Sequence, residues 1–227
     1  MSRSFKDCLA FGLVLALSLN TTSKSALANN QTQPKLKVTV RIYNYAYVTR
    51  KVLAGAKQEV TIIFRQAGLE MAWLDCPLSM AEFESHPDCQ QPSGPANLVL
   101  RILPRAMAER EPSSDDTLGY ALPGSAGAPG RIANVFYHRV EELARKAQGL
   151  QYQILGNTMA HEIGHLLLGS TGHSPTGIMK AKWSREELRP SSIAFLVFTP
   201  QQATLIQNDV TNRVRGEESS RSALKDK

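Results

Sequence analysis

Residues 151–179 read QYQILGNTMAHEIGHLLLGSTGHSPTGIM, and this stretch decides which fold the rest of the chain is expected to build. Apolar residues recur at helical spacing over 151–168, which predicts a helix. His161, Glu162 and His165 lie on that helix. Side chains four residues apart share one helix face, about 5–6 Å apart at Cβ. The two imidazoles can therefore converge on a single metal ion.

The chemistry of these residue types points to zinc. Histidine nitrogen coordinates zinc at roughly 2.0–2.1 Å, and a catalytic zinc uses three protein ligands and a water. Glu162 directly follows His161, so its carboxylate can lie beside that water as a general base rather than on the metal. Gly169 can take the left-handed conformation that ends a helix, after which the chain turns and presents His173. We therefore predict that His161, His165 and His173 are the zinc ligands.

A different third ligand stays open at this stage. Glu186 and Glu187 lie 21 and 22 residues after His165, and carboxylate oxygen also ligates zinc. The two other histidines, His86 and His138, lack ligand spacing. We expect them to be ordinary exposed or capping residues.

The same stretch resembles the metzincin clan of zinc peptidases, and the matrixin branch most closely. That clan has H-E-x-x-H-x-x-G-x-x-H followed by a methionine in a tight turn beneath the metal. Gly164, Ser174 and the Ile178-Met179 pair are matrixin-like. Residues Leu118–Gly124 (LGYALPG) resemble the edge strand on which matrixins lay an extended substrate. The resemblance implies a zincin-like fold, zinc endopeptidase activity and a structural role for the methionine.

The spacing departs from the clan pattern around Gly169. One residue is added on each side of this glycine, so His173 lies at i+12 from the first histidine rather than i+10. Ala181 stands where some metzincins have a tyrosine after the methionine. A second group that would stabilise an oxyanion is therefore unassigned, with Tyr120 and Tyr137 as candidates.

The remaining pattern predicts an α+β domain. Predicted strands cover residues 36–48, 69–74, 97–103, 118–122 and 132–137. Predicted helices cover residues 49–67, 139–147, 151–168 and 200 to about 214. A run of strands followed by helices favours a mixed, twisted sheet of about five strands. We expect a backing helix, an active-site helix and a C-terminal helix, which is the zincin-like architecture that the resemblance implies.

The first 28 residues are typical of a secretory signal peptide. A short basic start precedes Cys8–Leu19, which is mostly apolar, and Ala26-Leu27-Ala28 is an A-x-A cleavage pattern. The apolar run is shorter than the roughly 20 residues that span a bilayer, which favours cleavage over an uncleaved anchor. We predict a secreted or periplasmic protein with no stable membrane insertion after cleavage.

The domain organisation and the cysteines follow from this interpretation. We predict a signal peptide over residues 1–28, one metallopeptidase domain over 29–215 and a loose tail over 216–227. Cys76 and Cys89 remain once the signal is removed, in a chain bound for an oxidising compartment. A disulfide between them is therefore predicted, the alternative being two unrelated thiols.

The amino-acid composition limits the classes of partner that the protein is expected to bind. The formal charge of +6 is moderate and is not gathered in one block, so nucleic acid is not an expected partner. An apolar fraction of 42% is that of an ordinary globular protein. Because only a short stretch separates the predicted cleavage site from the first strand, we expect no N-terminal prodomain with an inhibitory cysteine. Restraint of the enzyme, if it is needed, is expected from a separate inhibitor.

Three functions compete. The first is a secreted zinc-dependent endopeptidase that hydrolyses peptide or protein substrates with a zinc-bound water and Glu162 as general base. The alternative is a catalytically silent zinc-binding module that binds a peptide or protein partner. An adhesion or scaffold domain ranks last, because it requires the glycine, His173 and Met179 to follow the motif by accident.

Overall fold

A computed structural model describes residues 36–91, 94, 96–111, 114, 116–124, 129–169 and 173–225 of this 227-residue chain, without the side chains of 217–221 and 223–225. The predicted signal peptide and the start of the predicted domain lie outside the described residues. The elements run in the order β1 (Leu36–Asn44), α1 (Arg50–Gln66), β2 (Leu69–Cys76), α2 (Met80–Phe83), α3 (Pro87–Gln90), β3 (Asn97–Leu103), α4 (Arg105–Ala108), β4 (Gly119–Ala121), β5 (Ile132–Phe136), α5 (Tyr137–Ala147), α6 (Gln151–Leu168) and α7 (Pro200–Lys225).

The five strands form one mixed sheet in the order β2-β1-β3-β5-β4. β1 pairs in parallel with β2 and with β3, and β3 pairs in parallel with β5. Among the described strands only β4 is antiparallel, and it pairs with β5 at the edge of the sheet. The predicted α+β class, with a mixed five-stranded sheet, is confirmed.

Helix α6 is the central helix of the domain. Its residues are buried without interruption from Ile154 to Gly164, so the helix has no solvent-facing stripe over that length. A helix that is apolar nearly all round belongs inside a protein rather than on its surface. The apolar face of α1 (Leu53, Ala56, Val60, Ile63 and Phe64) is buried in the same core. The two histidines and the glutamate of α6 are thus held on a rigid, internal element.

Glycines allow α1 and α6 to approach each other closely. A Cβ on Gly156 of α6 would lie 2.6 Å from the Cβ of Glu59 and 2.8 Å from the carbonyl oxygen of Ala56. A Cβ on Gly55 of α1 would lie 2.9 Å from the ring of Tyr152. Contacts of this length are not available to ordinary side chains, so the separation of the two helices depends on these glycines.

The region between β2 and β3, where no helix was predicted, contains the short helices α2 and α3. The predicted disulfide between Cys76 and Cys89 is present. Arg41 of β1 is 6% exposed and donates a hydrogen bond from Nη2 to the carbonyl oxygen of Gln91, at 2.7 Å. The disulfide and this arginine tie the segment to the sheet at two points.

The C-terminal helix begins as predicted and ends later than predicted. Thr199 Oγ1 accepts from the backbone N–H of Gln202, and the Gln202 side chain accepts from the N–H of Thr199, which is a capping box. The expected end near Val214 was wrong, because α7 continues through Gly216 to Lys225. A single glycine costs a helix only about 1 kcal/mol, so it did not stop this one. Although α7 has 26 residues, no described helix is both long and apolar enough to cross a membrane.

Replacing Gly156 by Ala is expected to lower the free energy of unfolding by about 1–3 kcal/mol, because the added methyl group forces α1 and α6 apart. Gly216→Ala is the matched control. No described atom lies within 4 Å of a Cβ added there, and alanine favours a helix over glycine by about 0.5–1 kcal/mol. Urea denaturation should therefore show a lower free energy of unfolding for Gly156→Ala and a higher one for Gly216→Ala, each relative to the wild type. Equal losses in the two variants would contradict the close helix contact.

Candidate metal centre

The three predicted histidines lie together in space. His161 and His165 extend from one face of α6, with their Nε2 atoms 3.0 Å apart. Gly169 ends the helix with a φ of +62°, in the left-handed conformation that the sequence predicted. The ring of His173 lies 5.3 Å from that of His161 and 5.1 Å from that of His165. The three potential ligand atoms all lie within 4.8 Å of one another, so the cluster can hold a metal ion.

The hydrogen bond that His161 makes determines which of its ring nitrogens faces the cluster. Nδ1 lies 2.7 Å from the carbonyl oxygen of Ile178, and a carbonyl can only accept, so Nδ1 carries the proton. Nε2 then presents its lone pair toward the other histidines. Burial is the main cause that lowers the pKa of His161 to about 4, which keeps the ring neutral near pH 7. A neutral imidazole fixed through its second nitrogen is the usual form of a metal-ligating histidine.

A tight turn supplies the carbonyl group that orients His161. The N–H of Ser174 donates to the carbonyl oxygen of Met179 at 2.8 Å, which closes the turn. Gly177 has a φ of +74°, a conformation that favours glycine. The N–H of Ile178 donates to the carbonyl oxygen of Val197 at 3.0 Å. The turn is therefore held to the chain that leads into α7.

Met179 packs directly against the helix that carries the histidines. It is fully buried, and a Cβ on Gly164 would lie 2.6 Å from its sulfur and 2.9 Å from the ring of Phe198. The glycine inside the H-E-x-x-H motif therefore makes room for the methionine and the phenylalanine. Met179 and Phe198 in turn support the face of α6 between His161 and His165.

Glu162 is a buried carboxylate beside the cluster. It is 5% exposed, and its Oε2 has no hydrogen-bond partner among the described residues. A Cβ on Gly119 of β4 would lie 3.0 Å from Oε1 of Glu162, so the edge strand passes directly over the carboxyl group. Burial raises the pKa of Glu162 to about 8. A buried carboxylate without a partner is costly, and a nearby cation or an ordered water would offset that cost.

The donor set fits a transition metal of the zinc type. Two histidine nitrogens bound tetrahedrally at roughly 2.0–2.1 Å lie about 3.3 Å apart, and the observed 3.0 Å is close to that value. Three imidazoles are a ligand set of catalytic zinc, whereas calcium and magnesium take oxygen ligands. The partnerless oxygen of Glu162 gives an independent reason to place a cation nearby.

The cluster opens into a cleft of about 850 Å³. Strand β4 forms one side of this cleft, and residues 180–183 line it as well. Trp183, which sequence reasoning missed, lies edge-on to the ring of His161, with centroids 5.6 Å apart and an interplanar angle of 88°. The only sequence signal for it was an aromatic residue shortly after Met179.

The other candidate ligands lie apart from the cluster. The carboxylate of Glu187 accepts from Lys180 Nζ at 2.8 Å and from the backbone N–H of Ser184 at 2.7 Å. Glu186 is exposed. His86 is exposed, and its Nδ1 lies 2.8 Å from the carbonyl oxygen of Glu82. Among the described residues, only the three histidines form a group that could hold a metal.

The two tyrosines suggested by the sequence as oxyanion stabilisers differ in position, since Tyr120 lines the cleft and Tyr137 does not. Tyr120 packs its ring 5.8 Å from that of Phe136, and burial together with Glu111 raises its pKa to about 12. The hydroxyl of Tyr137 accepts a hydrogen bond from Gln151 Nε2 at 3.0 Å, and Tyr137 does not line the cleft. The second stabilising group therefore stays unassigned.

The fold and the cluster define a candidate metalloprotein with an α+β domain and a three-histidine site. No protein-family model matches the chain, and no curated protein sequence matches it. Among solved structures, the chain is similar to the crystal structure of archaemetzincin from Methanopyrus kandleri, with 16% sequence identity and a TM-score of 0.48. The similarity covers 78% of this chain and 98% of that chain. Assignment to the matrixin branch finds no support in these comparisons.

Replacing Glu162 by Gln should stabilise the protein when a chelator keeps the solution free of metal. Burial raises the folded-state pKa from 4.5 to about 8, so the ionised carboxylate destabilises the folded protein increasingly as pH rises through that window. The increase in the free energy of unfolding that the neutral amide produces should be small at pH 5 and largest at pH 9. Urea denaturation of the two chelator-treated proteins at both pH values measures the difference in their free energies of unfolding. An equal difference at pH 5 and pH 9 would contradict an uncompensated carboxylate.

Proposed function

We propose that this protein is a secreted zinc-dependent endopeptidase of the metzincin type. The observation that carries the proposal is one arrangement: three histidine nitrogens within 4.8 Å of one another, beside the buried carboxylate of Glu162, at a cleft. His161, His165 and His173 would hold zinc, and Glu162 would be the general base. A cluster with only structural purpose would not need an unpaired carboxylate next to the ligands.

Zinc bound there would polarise a peptide carbonyl group and lower the pKa of a coordinated water to around 7. Glu162 accepts a proton from the attacking water and delivers it to the leaving amine. Its burial suits this task, because a carboxylate withdrawn from bulk water is a stronger base than an exposed one. Ile178 keeps His161 in the tautomer that binds metal through Nε2.

The substrate would bind along β4. This strand pairs with β5 on one side and lines the cleft with the other, and no described strand pairs with that second side. An exposed sheet edge can take up an extended peptide as an additional strand. A peptide bound there would pass over Glu162, because Gly119 of β4 lies directly against that carboxyl group.

An extracytoplasmic location is part of the proposal. The disulfide between Cys76 and Cys89 favours an oxidising compartment. The predicted signal peptide over residues 1–28 agrees with it, as does the resemblance to secreted zinc peptidases. The contact of Met179 with Gly164 supports a metzincin-type methionine turn.

Glu162→Ala should abolish peptide hydrolysis and leave zinc content unchanged, because the residue is proposed to move a proton rather than to bind the metal. Loss of a general base typically lowers the rate about 10²- to 10⁴-fold. Cleavage of a mixed peptide library, read by mass spectrometry, together with metal analysis, measures both properties. Glu84→Ala removes an exposed carboxylate and should change neither. Zinc in the wild type with no cleavage of any peptide would instead favour a catalytically silent zinc-binding module.

His173→Ala should reduce zinc affinity by more than the roughly 10- to 100-fold that the loss of an outer-shell partner costs, because it removes a direct ligand. Competition with a chromophoric chelator measures the affinity. His86→Ala removes an exposed histidine outside the cluster and should have no effect. Retention of wild-type affinity by His173→Ala would remove this histidine from the ligand set, and Glu186 and Glu187 would be tested next.

A further inference from the structure

A buried arginine of the C-terminal helix reaches the helix that carries the histidines. Arg213 of α7 is 5% exposed. Its Nη2 donates a hydrogen bond to the carbonyl oxygen of Leu166 in α6 at 2.7 Å, and its Nη1 donates to the carbonyl oxygen of Gly130 at 3.3 Å. Its Nε donates to Asp209, one turn earlier on α7, at 2.5 Å. One side chain therefore joins three parts of the chain.

The acceptor on α6 belongs to the turn that holds the second histidine. Leu166 follows His165 and lies in the last turn of α6, where the final four carbonyl groups have no donor within the helix. The chain leaves this turn through Gly169 on its way to His173. Arg213 supplies a donor to one of these carbonyl groups and thereby holds the turn from which the third histidine departs.

The second acceptor, the carbonyl oxygen of Gly130, also belongs to the lining of the cleft. Gly130 lines the cleft just before β5 begins. A Cβ at this position would collide with the carbonyl oxygen of Leu122 and lie 3.2 Å from Cδ2 of Leu166. The N–H of Leu122 also donates to the carbonyl oxygen of Ile132 at 2.8 Å, which holds the end of β4 to β5. Arg213 thus connects the helix of the cleft to the rim formed by its edge strand.

Stability alone is a poor explanation for such a residue. Arg213 carries a guanidinium group into the interior, where it pairs with Asp209. A buried ion pair is often no more stabilising than apolar residues of similar volume. The directional bonds to two backbone carbonyl groups, however, can be made by the planar fork of an arginine and by no apolar side chain.

We propose that Arg213 is a positioning residue, which fixes the last turn of α6 and the rim at Gly130 so that His165 and His173 reach the same metal ion. This inference rests on the proposed function, since it concerns affinity for zinc. It predicts that the C-terminal helix is part of the metal site without touching the metal.

The test uses Arg213→Met, Arg213→Lys and the control Arg215→Met, which removes an exposed arginine from the same helix. Zinc affinity is measured by chelator competition well below each melting temperature. Hydrogen exchange of the metal-free proteins is followed for peptides covering residues 129–132 and 165–174. We expect Arg213→Met to bind zinc about 10- to 100-fold more weakly, as for loss of an outer-shell partner. Its exchange should rise in these two segments more than in β1 and β3.

Arg213→Lys should bind zinc more tightly than Arg213→Met and less tightly than the wild type, because lysine keeps a hydrogen-bond donor but lacks the planar guanidinium. A residue needed only for packing would not give this order of affinities. Should Arg213→Met fail to fold, the lysine variant carries the test. The inference would be overturned if folded Arg213→Met kept the wild-type zinc affinity. It would also be overturned if Arg213→Lys kept both the wild-type zinc affinity and the wild-type hydrogen exchange. Either result would leave the proposed function standing. A wild-type protein that binds no zinc would overturn both.

Discussion

The hydrogen bond between His161 Nδ1 and the carbonyl oxygen of Ile178 joins the two halves of the candidate site. One half is a buried helix, and the other is the tight turn that carries Met179. The bond fixes the imidazole tautomer, and it does so from a turn that is itself held by the backbone of Val197. Without it, the orientation of the His161 ring would not be set by the turn. The packing of Met179 and Phe198 against Gly164 keeps the two halves at the distance that this bond requires.

Much of the fold could be predicted because its signals are local. Helix α6 spans Gln151–Leu168 and β3 spans Asn97–Leu103, as their apolar periodicity indicated. The left-handed Gly169 and the disulfide were also predicted from residue type and spacing. The placement of His161 and His165 on one helix face could be predicted from the helical repeat alone. The position of His173 depends on the path of the chain after α6. The structure places His173 beside the other two histidines, although the loop is longer than in the clan pattern.

The features that sequence reasoning missed depend on contacts between distant parts of the chain. Arg213 and Leu166 are 47 residues apart, and nothing near either residue indicates that they meet. Gly119 looks like an ordinary strand glycine until β4 is placed over Glu162. Trp183 follows the turn without a periodic pattern of its own, so its contact with the ring of His161 could not be inferred. The helical end of the chain was missed because its charged residues permit a helix without requiring one.

The three histidines differ in how much solvent each one meets: His161 is buried, His165 is half-buried and His173 is exposed. An ion that entered this cluster from solvent would meet His173 first, because the other two histidines are less exposed. Solvent therefore reaches the candidate site from the side of His173, the histidine that follows the longer loop.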